Sequence, residues 1–403
     1  MMKGSFFAGS KLFGYLPEQD RYLSAAPRPE HHFNVIGSGM MGLQHINVTM
    51  LEGSADINGI YDQNRSVSEK AKAFFEATYP GRTLRIYDTL EEACTDPTVD
   101  GLIVSTPNYT HIDVIRKIIH SGKNILLEKP MATRVEDAAE IAQLAESYDA
   151  VLQIGLQYRY KPIYTEAIRR SLSAKDLGDI RLVNLVEHRI PFLDKVGQWN
   201  KFNRFSGGTL VEKCCHYFDL LDLFAGARPK TVYAVGGQAE NFTEFEYHGE
   251  KSDIMDHANV SIVFENGVKA NFNLCMFAPQ SYEELVVCGS RGRLKAVENH
   301  TFLEDGQPET KLEVFLGDEG TSFVGSPVYP KGIQSSGHLG ATYFEHRDFV
   351  NRIEGRTHRL ASEQEGLWAI IAASAAQQSI AEGRIVEIGE FLEQYPLARK
   401  VAK

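Results

Sequence analysis

Three groups of residues in this 403-residue chain carry side chains or turns suited to binding and catalysis. The first is Gly37, Gly39 and Gly42, spaced G-x-G-x-x-G, with Asp62 twenty residues past the last glycine. A short apolar strand, Phe33 to Ile36, leads into the triplet, and a second, Ile57 to Tyr61, ends at the acid. In that order each part has a job in holding a dinucleotide. Gly37 turns the chain tightly out of the strand, Gly39 lets the backbone approach a pyrophosphate, and Gly42 lets the next helix pack close to the sheet. Ser38, Met40 and Met41 complete the turn, and the helix N-terminus offers N–H groups and a positive dipole end to the phosphates. Asp62 can accept from ribose hydroxyls, and its charge repels a 2′-phosphate, so NAD is expected in preference to NADP.

The second group is Lys129, which follows an apolar strand (Asn124 to Leu127) and precedes Pro130. An ammonium there can bond a substrate hydroxyl, and partial desolvation would lower its pKa toward neutral exchange. The third is Glu212-Lys213-Cys214-Cys215-His216-Tyr217-Phe218-Asp219. If Val211 to Phe224 is one helix, Glu212 and His216 share a face, and a carboxylate that orients an imidazole makes an acid/base pair. A metal held by Glu212, Cys215, His216 and Asp219 is the competing reading. It lacks a zinc signature such as H-E-x-x-H, and no metal is expected. The adjacent cysteines read as helix packing.

The elements that must position these groups alternate. Helical runs (Gly42 to Leu51, Ser66 to Tyr79, Tyr109 to His120, Arg134 to Tyr148) separate apolar strands at 57–61, 101–105, 124–127 and 151–154. Such alternation implies a doubly wound parallel sheet with ligands at the carboxyl ends of its strands. From about Gly155 the texture changes to strand-like runs joined by short turns, with an Asn-Gly hairpin signal at Asn266-Gly267. The expectation is α/β overall: a Rossmann domain over 33–154, then an α+β domain over 155–403 with an open, mainly antiparallel sheet. Glu304 to Gly340 reads as loops, and 343–354 and 363–382 as closing helices.

Composition bounds the rest. Hydrophobic content of 43% and charged content of 24% are those of a globular protein. A net charge of −11 argues against a nucleic-acid partner. No apolar run approaches the length of a bilayer span. Five sparse cysteines without a C-x-x-C pair, and a start without signal-peptide character, fit a reducing, cytoplasmic setting. Residues 1–32 are rich in Phe, Tyr, Gly and Pro and read as an arm docking on the body or on a neighbouring subunit.

These motifs in order resemble the glucose–fructose oxidoreductase/inositol dehydrogenase (Gfo/Idh/MocA) family. The resemblance runs from Phe33 to about Val297. It rests on G-S-G-M-M-G-L-Q-H, Asp62, S-T-P-N-Y-T-H (Ser105 to His111), L-E-K-P (Leu127 to Pro130), Q-Y-R-Y (Gln157 to Tyr160) and S-G-G-T-L-V-E-K-C-C-H-Y-F-D (Ser206 to Asp219). It implies NAD(P)-dependent oxidation of a sugar, glycoside or cyclitol, and usually a homo-oligomer. Lys129 then matches a proton-transfer or hydroxyl-binding lysine, and His216 the active-site histidine. Glu212 stands where an aspartate is usual. Thr106, Pro107, Asn108, His111 and Glu128 fall with Lys129 around the nicotinamide and ribose. Arg159, Tyr160, Trp199 and Arg204 fall, with His216, around the substrate. By the same resemblance, C3 of a glucose-like ring is the expected carbon. Two other readings stay open: NAD retained and recycled within each cycle, as in sugar–sugar oxidoreductases and NAD-dependent glycosidases, and a non-catalytic nucleotide sensor.

Overall fold

The computed structural model describes residues 29–278, 280–301, 308–317 and 320–403. The expected N-terminal arm lies almost wholly outside them. The chain forms two compact units. The first comprises the described residues up to Glu128, Ser147–Gly155 and Tyr329–Leu360; the second comprises Lys129–Glu146, the described part of Leu156–Val328, and Ala361–Lys403.

In the first unit six strands lie in the order β3-β2-β1-β4-β5-β6, all parallel. They are β1 (His31–Ile36), β2 (Ala55–Tyr61), β3 (Arg85–Ile86), β4 (Gly101–Val104), β5 (Asn124–Glu128) and β6 (Leu152–Gly155). The central strands are apolar throughout because helices cover both faces of such a sheet. Val35, Ile103 and Leu126 are fully buried. All the strands point one way, so the loops after β1, β2 and β4 collect at one edge. The Gly37 N–H donates to the Tyr61 carbonyl (2.8 Å) and Ser105 Oγ to the Gly37 carbonyl (2.7 Å).

The unit boundaries differ from the expected cut at residue 154. Tyr329–Leu360 returns to the first unit, where helix Ala341–Ile353 packs Phe349 and Val350 into the core beside Phe33. Helix Val135–Glu146, which reads in sequence as a Rossmann helix, instead packs on helix Glu363–Glu382 in the second unit. Both departures have one cause: an apolar face is satisfied by any complementary face, and sequence order does not say which.

The second unit is built on a nine-stranded sheet, order β16-β15-β14-β13-β7-β12-β11-β8-β17. Its strands are β7 (Ile180–His188), β8 (Pro229–Gly237), β11 (His257–Phe264), β12 (Lys269–Cys275), β13 (Gln280–Gly289), β14 (Gly292–Thr301), β15 (Glu309–Leu316), β16 (Phe323–Gly325) and β17 (Val386–Glu387); β9 (Glu246–Tyr247) and β10 (Glu250–Lys251) pair separately. All pairs are antiparallel except β7 with β12. Helices Cys215–Ala225 and Glu363–Glu382 pack on this sheet and on each other. The second begins with a Ser362/Glu365 capping box, which satisfies two orphan N–H groups. The expectation of loops over 304–340 fails at β15 and β16. Leu312 and Val314 alternate inward along β15, a period-two signal masked in sequence by the polar residues between them.

Candidate active site

The first unit carries a cradle. Gly37 has φ +90°, and a Cβ there would lie 2.8 Å from Ser105 and Thr106 backbone atoms. A Cβ on Gly42 would meet the Gly37 carbonyl oxygen at 2.1 Å, so the helix Met40–Glu52 can lie this close to β1 only with glycine. Gly39 differs: a Cβ there would meet nothing within 4 Å. That helix has no side-chain cap and no acid in its first turn, leaving its leading N–H groups and dipole for an anion. Asp62 Oδ2 accepts from the Ser38 N–H (2.9 Å) and Oδ1 from the Asn64 N–H (2.9 Å), which aims the carboxylate along the same edge. Ser38 is buried and Met40 exposed. Open space at Gly39, uncapped helix N–H groups and a fixed carboxylate together fit a dinucleotide.

The loop after β4 is tied internally. Thr110 Oγ1 donates to the Pro107 carbonyl (2.7 Å) and lies 2.8 Å from Thr106 Oγ1, and His111 Nε2 meets the Thr106 carbonyl at 3.1 Å. His111 is fully buried, so it braces the loop from beneath. Asn108 Nδ2 is buried without a partner among the described residues, a donor that a bound nicotinamide or ribose could take up.

Glu128, at the end of β5, faces a buried relay that sequence reasoning missed. Its Oε1 lies 2.9 Å from His45 Nε2; His45 Nδ1 meets His346 Nε2 at 2.8 Å, and His346 Nδ1 meets Thr49 Oγ1 at 3.0 Å. Burial and His45 hold His346 well below the usual imidazole range. Burial and Glu128 push the Glu345 carboxyl well up. His45 was in view as the last residue of the glycine-rich motif, but only folding brings His346 to it.

The second unit opens at Lys129, joined to Pro130 by a cis peptide bond. Lys129 Nζ donates to the Glu212 carbonyl at 2.9 Å. This corrects the expectation of one helix over 211–224. Helix Thr209–Glu212 stops, the Cys214 N–H reaches back to the Thr209 carbonyl, and a new helix starts at Cys215. At this break the Glu212 carbonyl accepts from the Lys129 ammonium and from the Cys215 thiol, the latter at 3.8 Å.

Glu212 and His216 are both buried. Burial works to raise the Glu212 pKa, but Lys129, Lys195, Arg189 and Lys213 together hold it below the usual value, so it stays ionised. The His216 ring stacks on Tyr158, with centroids 4.0 Å apart and planes at 6°. Tyr158 Oη is 2.6 Å from Lys213 Nζ, which also pairs with Glu187 at 3.1 Å. Stacking and the buried lysine fix the imidazole plane. Burial pushes the Cys215 thiol up to about 12 and holds the Cys214 thiol well above its ordinary value, which leaves both as packing groups.

The expected substrate residues are placed unevenly. Trp199 is buried with the Lys195 ammonium 5.7 Å over its ring. The Arg159 guanidinium is buried and clamps Asp219, Nε to Oδ2 at 2.7 Å, with Glu365 at 3.5 Å. That geometry is a structural tie. Tyr160 is buried. Arg204 is largely exposed and pairs with Glu250. Among the described residues no cluster of three or more His, Cys, Asp or Glu is arranged to hold a metal; Asp219, one of the four candidates, is committed to Arg159.

Two family models cover most of the chain. Residues 31–156 match the GFO/IDH/MocA oxidoreductase family, NAD-binding Rossmann fold, and residues 169–388 match that family's C-terminal alpha/beta domain. Inositol 2-dehydrogenase of Rhizobium meliloti (strain 1021) is 23% identical over 359 residues, 88% of this chain and 98% of the relative. The scyllo-inositol 2-dehydrogenase (NAD(+)) of Bacillus subtilis (strain 168) is 26% identical over 209 residues, 52% of this chain and 57% of the relative. The solved structure of levoglucosan dehydrogenase with NADH and L-sorbose superposes with a TM-score of 0.73 at 18% identity, covering 89% of this chain and 98% of that one. GenD2 from gentamicin A biosynthesis, solved with NAD, gives 0.70 at 23%, covering 90% and 97%. At such identities the structural likeness speaks for the fold alone. The two models in tandem, over the same residues that carry the glycine cradle and the Lys129–Glu212–His216 cluster, place this chain in the GFO/IDH/MocA family of NAD-binding oxidoreductases.

Proposed function

We propose that the protein oxidises a secondary hydroxyl of a sugar, glycoside or cyclitol, at C3 if the ring is glucose-like, with NAD as the acceptor. The observation that carries this reading is the Lys129 ammonium held on the Glu212 carbonyl, beside a histidine whose ring is fixed by stacking. An ammonium there is the group that would donate to the substrate hydroxyl. The hydroxyl proton passes to His216 as the carbinol carbon loses its hydride, and the product is the ketone. When bound, the nicotinamide supplies the hydride acceptor at C4. Ionised Glu212 favours the cationic form of the neighbouring lysine and steadies positive charge that develops as the proton arrives. Asp62, through two ribose hydroxyls, favours NAD over NADP. We also propose a homo-oligomer: Tyr233, Val235 and Phe315 stand exposed on the large sheet, and such faces are commonly covered.

The test is a screen of polyols, glycosides and cyclitols for NADH formation. Lys129→Met and His216→Ala should each lower kcat by roughly 10²–10⁴, the usual worth of a positioned acid or base, while His216→Ala still binds NADH. Turnover by both variants at the wild-type rate would remove the proposed roles.

A further inference from the structure

Four buried groups of the first unit stand in a row, Glu128, His45, His346 and Thr49, none more than 5% exposed. They come from three elements: β5, helix Met40–Glu52 and helix Ala341–Ile353. The row has three contacts, Glu128 Oε1 to His45 Nε2 (2.9 Å), His45 Nδ1 to His346 Nε2 (2.8 Å) and His346 Nδ1 to Thr49 Oγ1 (3.0 Å). Both nitrogens of both rings meet a polar partner, which fixes how each ring is turned.

Each contact at these distances needs one hydrogen. The Thr49 hydroxyl brings none, because it donates to the His45 carbonyl (2.9 Å), an oxygen that only accepts. His346 Nδ1–H therefore donates to Thr49, His346 Nε2 is left as an acceptor, and His45 Nδ1–H donates to it. Two neutral imidazoles bring one hydrogen each, and both are now spent. The remaining contact would set a bare ring nitrogen against a carboxylate oxygen, two acceptors 2.9 Å apart, unless one more proton is present. His346 does not carry it: burial and His45 hold that imidazole well below its usual range. Glu345, on the helix of His346, does not supply it either. Both Glu345 oxygens are buried without a hydrogen-bond partner among the described residues, and burial and Glu128 push that carboxyl well up, so it keeps its own proton.

The row also ties the glycine cradle to another strand end. His45 lies in the second turn of the helix that follows Gly39. Asp62, after β2, marks the adenosine side of a bound dinucleotide. The sheet order β3-β2-β1-β4-β5-β6 then sends the nicotinamide half the other way, past β4 to the end of β5, where Glu128 stands.

We propose that Glu128, His45 and His346 hold one proton beyond those of two neutral imidazoles and an ionised carboxylate, shared in the Glu128–His45 contact, and that His45 is thereby a positioning residue that sets Glu128 for the nicotinamide end of the cofactor. The second half rests on the NAD-binding reading of the cradle; the first half does not. A neutral pair, rather than a bare buried carboxylate, closes the end of β5.

Capillary electrophoresis of the native, unliganded protein at neutral pH counts the proton. Glu128→Gln supplies an amide N–H that can serve a neutral His45, so this variant loses one negative charge and the shared proton together. Its mobility should equal that of the wild type, whereas Glu69→Gln, at an exposed carboxylate, should shift by one charge. A one-charge shift for Glu128→Gln overturns the shared proton. If Glu128→Gln does not fold, the proton NMR spectrum of the wild type carries the test: a strongly deshielded exchangeable resonance that His45→Gln removes supports the proposal, and its absence overturns it. Positioning is read from calorimetric titrations of NADH and of ADP-ribose, which lacks the nicotinamide, into the wild type and His45→Gln. NADH should bind the variant at least tenfold more weakly, and ADP-ribose should bind both proteins within twofold. Equal losses for the two ligands, the mark of a merely structural change, or no loss for either, overturn the positioning role. If the wild type binds neither ligand, the cradle reading fails instead, and the electrophoretic shift still decides the proton. Thermal melts confirm that each variant is folded, and His45→Asn takes the place of His45→Gln if the latter is not.

Discussion

Gly39 and Gly42 look alike in the motif, yet alanine at each should do opposite things. At Gly39 the backbone is extended (φ −69°, ψ −159°), which alanine adopts freely, and the added methyl meets no protein atom within 4 Å. Folding should be unharmed, and the stiffer unfolded chain adds about 0.4–1 kcal/mol of stability. That same open space is where a pyrophosphate would sit, so the methyl should cost at least about 1.4 kcal/mol of NAD binding, a tenfold loss. At Gly42 the methyl would lie 2.1 Å from the Gly37 carbonyl oxygen and 3.2 Å from Ser105 Oγ. Relief requires moving the helix off β1, an overpacking cost of roughly 1–3 kcal/mol. For a unit of this size that is a fall of about 2–4 °C in melting temperature per kcal/mol. Fluorescence titration with NADH gives the affinities. Melts without and with NAD at a hundred times its Kd, which should add about 2.7 kcal/mol, give the stabilities. The expected pattern is Gly39→Ala stable but with the NAD-induced gain, at the concentration set for the wild type, cut to about 1.4 kcal/mol or less, and Gly42→Ala destabilised in both. If Gly39→Ala binds NADH within twofold of the wild type, the uncapped helix end is not the phosphate site and the cradle argument fails.

Asp62→Ser should raise kcat/KM with NADP relative to NAD by tenfold or more, read from parallel assays with the two cofactors; an unchanged ratio would show that the acid does not face the ribose. Arg159→Met should cost about 3–5 kcal/mol in urea melts because it strands the buried Asp219 carboxylate, and adding Asp219→Asn should recover part of the loss. The Thr98 hydroxyl and N–H, with Tyr87 and Arg85, hold the Asp96 carboxyl down at about 2. Its folded value lies below its unfolded one, so its stabilisation is present above about pH 4 and is lost as the pH falls toward 2; Thr98→Val should move the acid-unfolding midpoint of the wild type upward. Burial pushes the Cys94 and Cys215 thiols up to about 12 and Cys214 well above its ordinary value, while Cys275 and Cys288 are only half-buried. Native protein should therefore lose at most these last two to a thiol reagent near neutral pH, counted by mass spectrometry, since the thiolate is the reactive form.

Local patterns were legible in the sequence wherever one residue type has one reason to be present. Gly37, Gly42 and Asp62 announce a βα turn with an acid at the next strand end, and the chain forms that turn with close contacts at both glycines. The helix Glu363–Glu382 matches the span expected from sequence, and the structure adds the local signals that bound it, a capping box at Ser362 and an αL glycine at Gly383. Partners distant in the chain were not legible. Arg159 could have faced a ligand; Asp219, sixty residues on, takes its guanidinium instead. Glu212 and His216 carry helical spacing, yet they fall on two helices with a break between them, and the Glu212 carbonyl at the break accepts from Lys129. His45 acquires a role only when His346 and Glu128 close on it from separate elements. Backbone conformation and capping depend on neighbours a few residues away, which is why the glycine turn and the parallel strands can be read from residue order. Which buried charge answers which, and which face covers which, depends on how distant elements pack, and no local pattern encodes that.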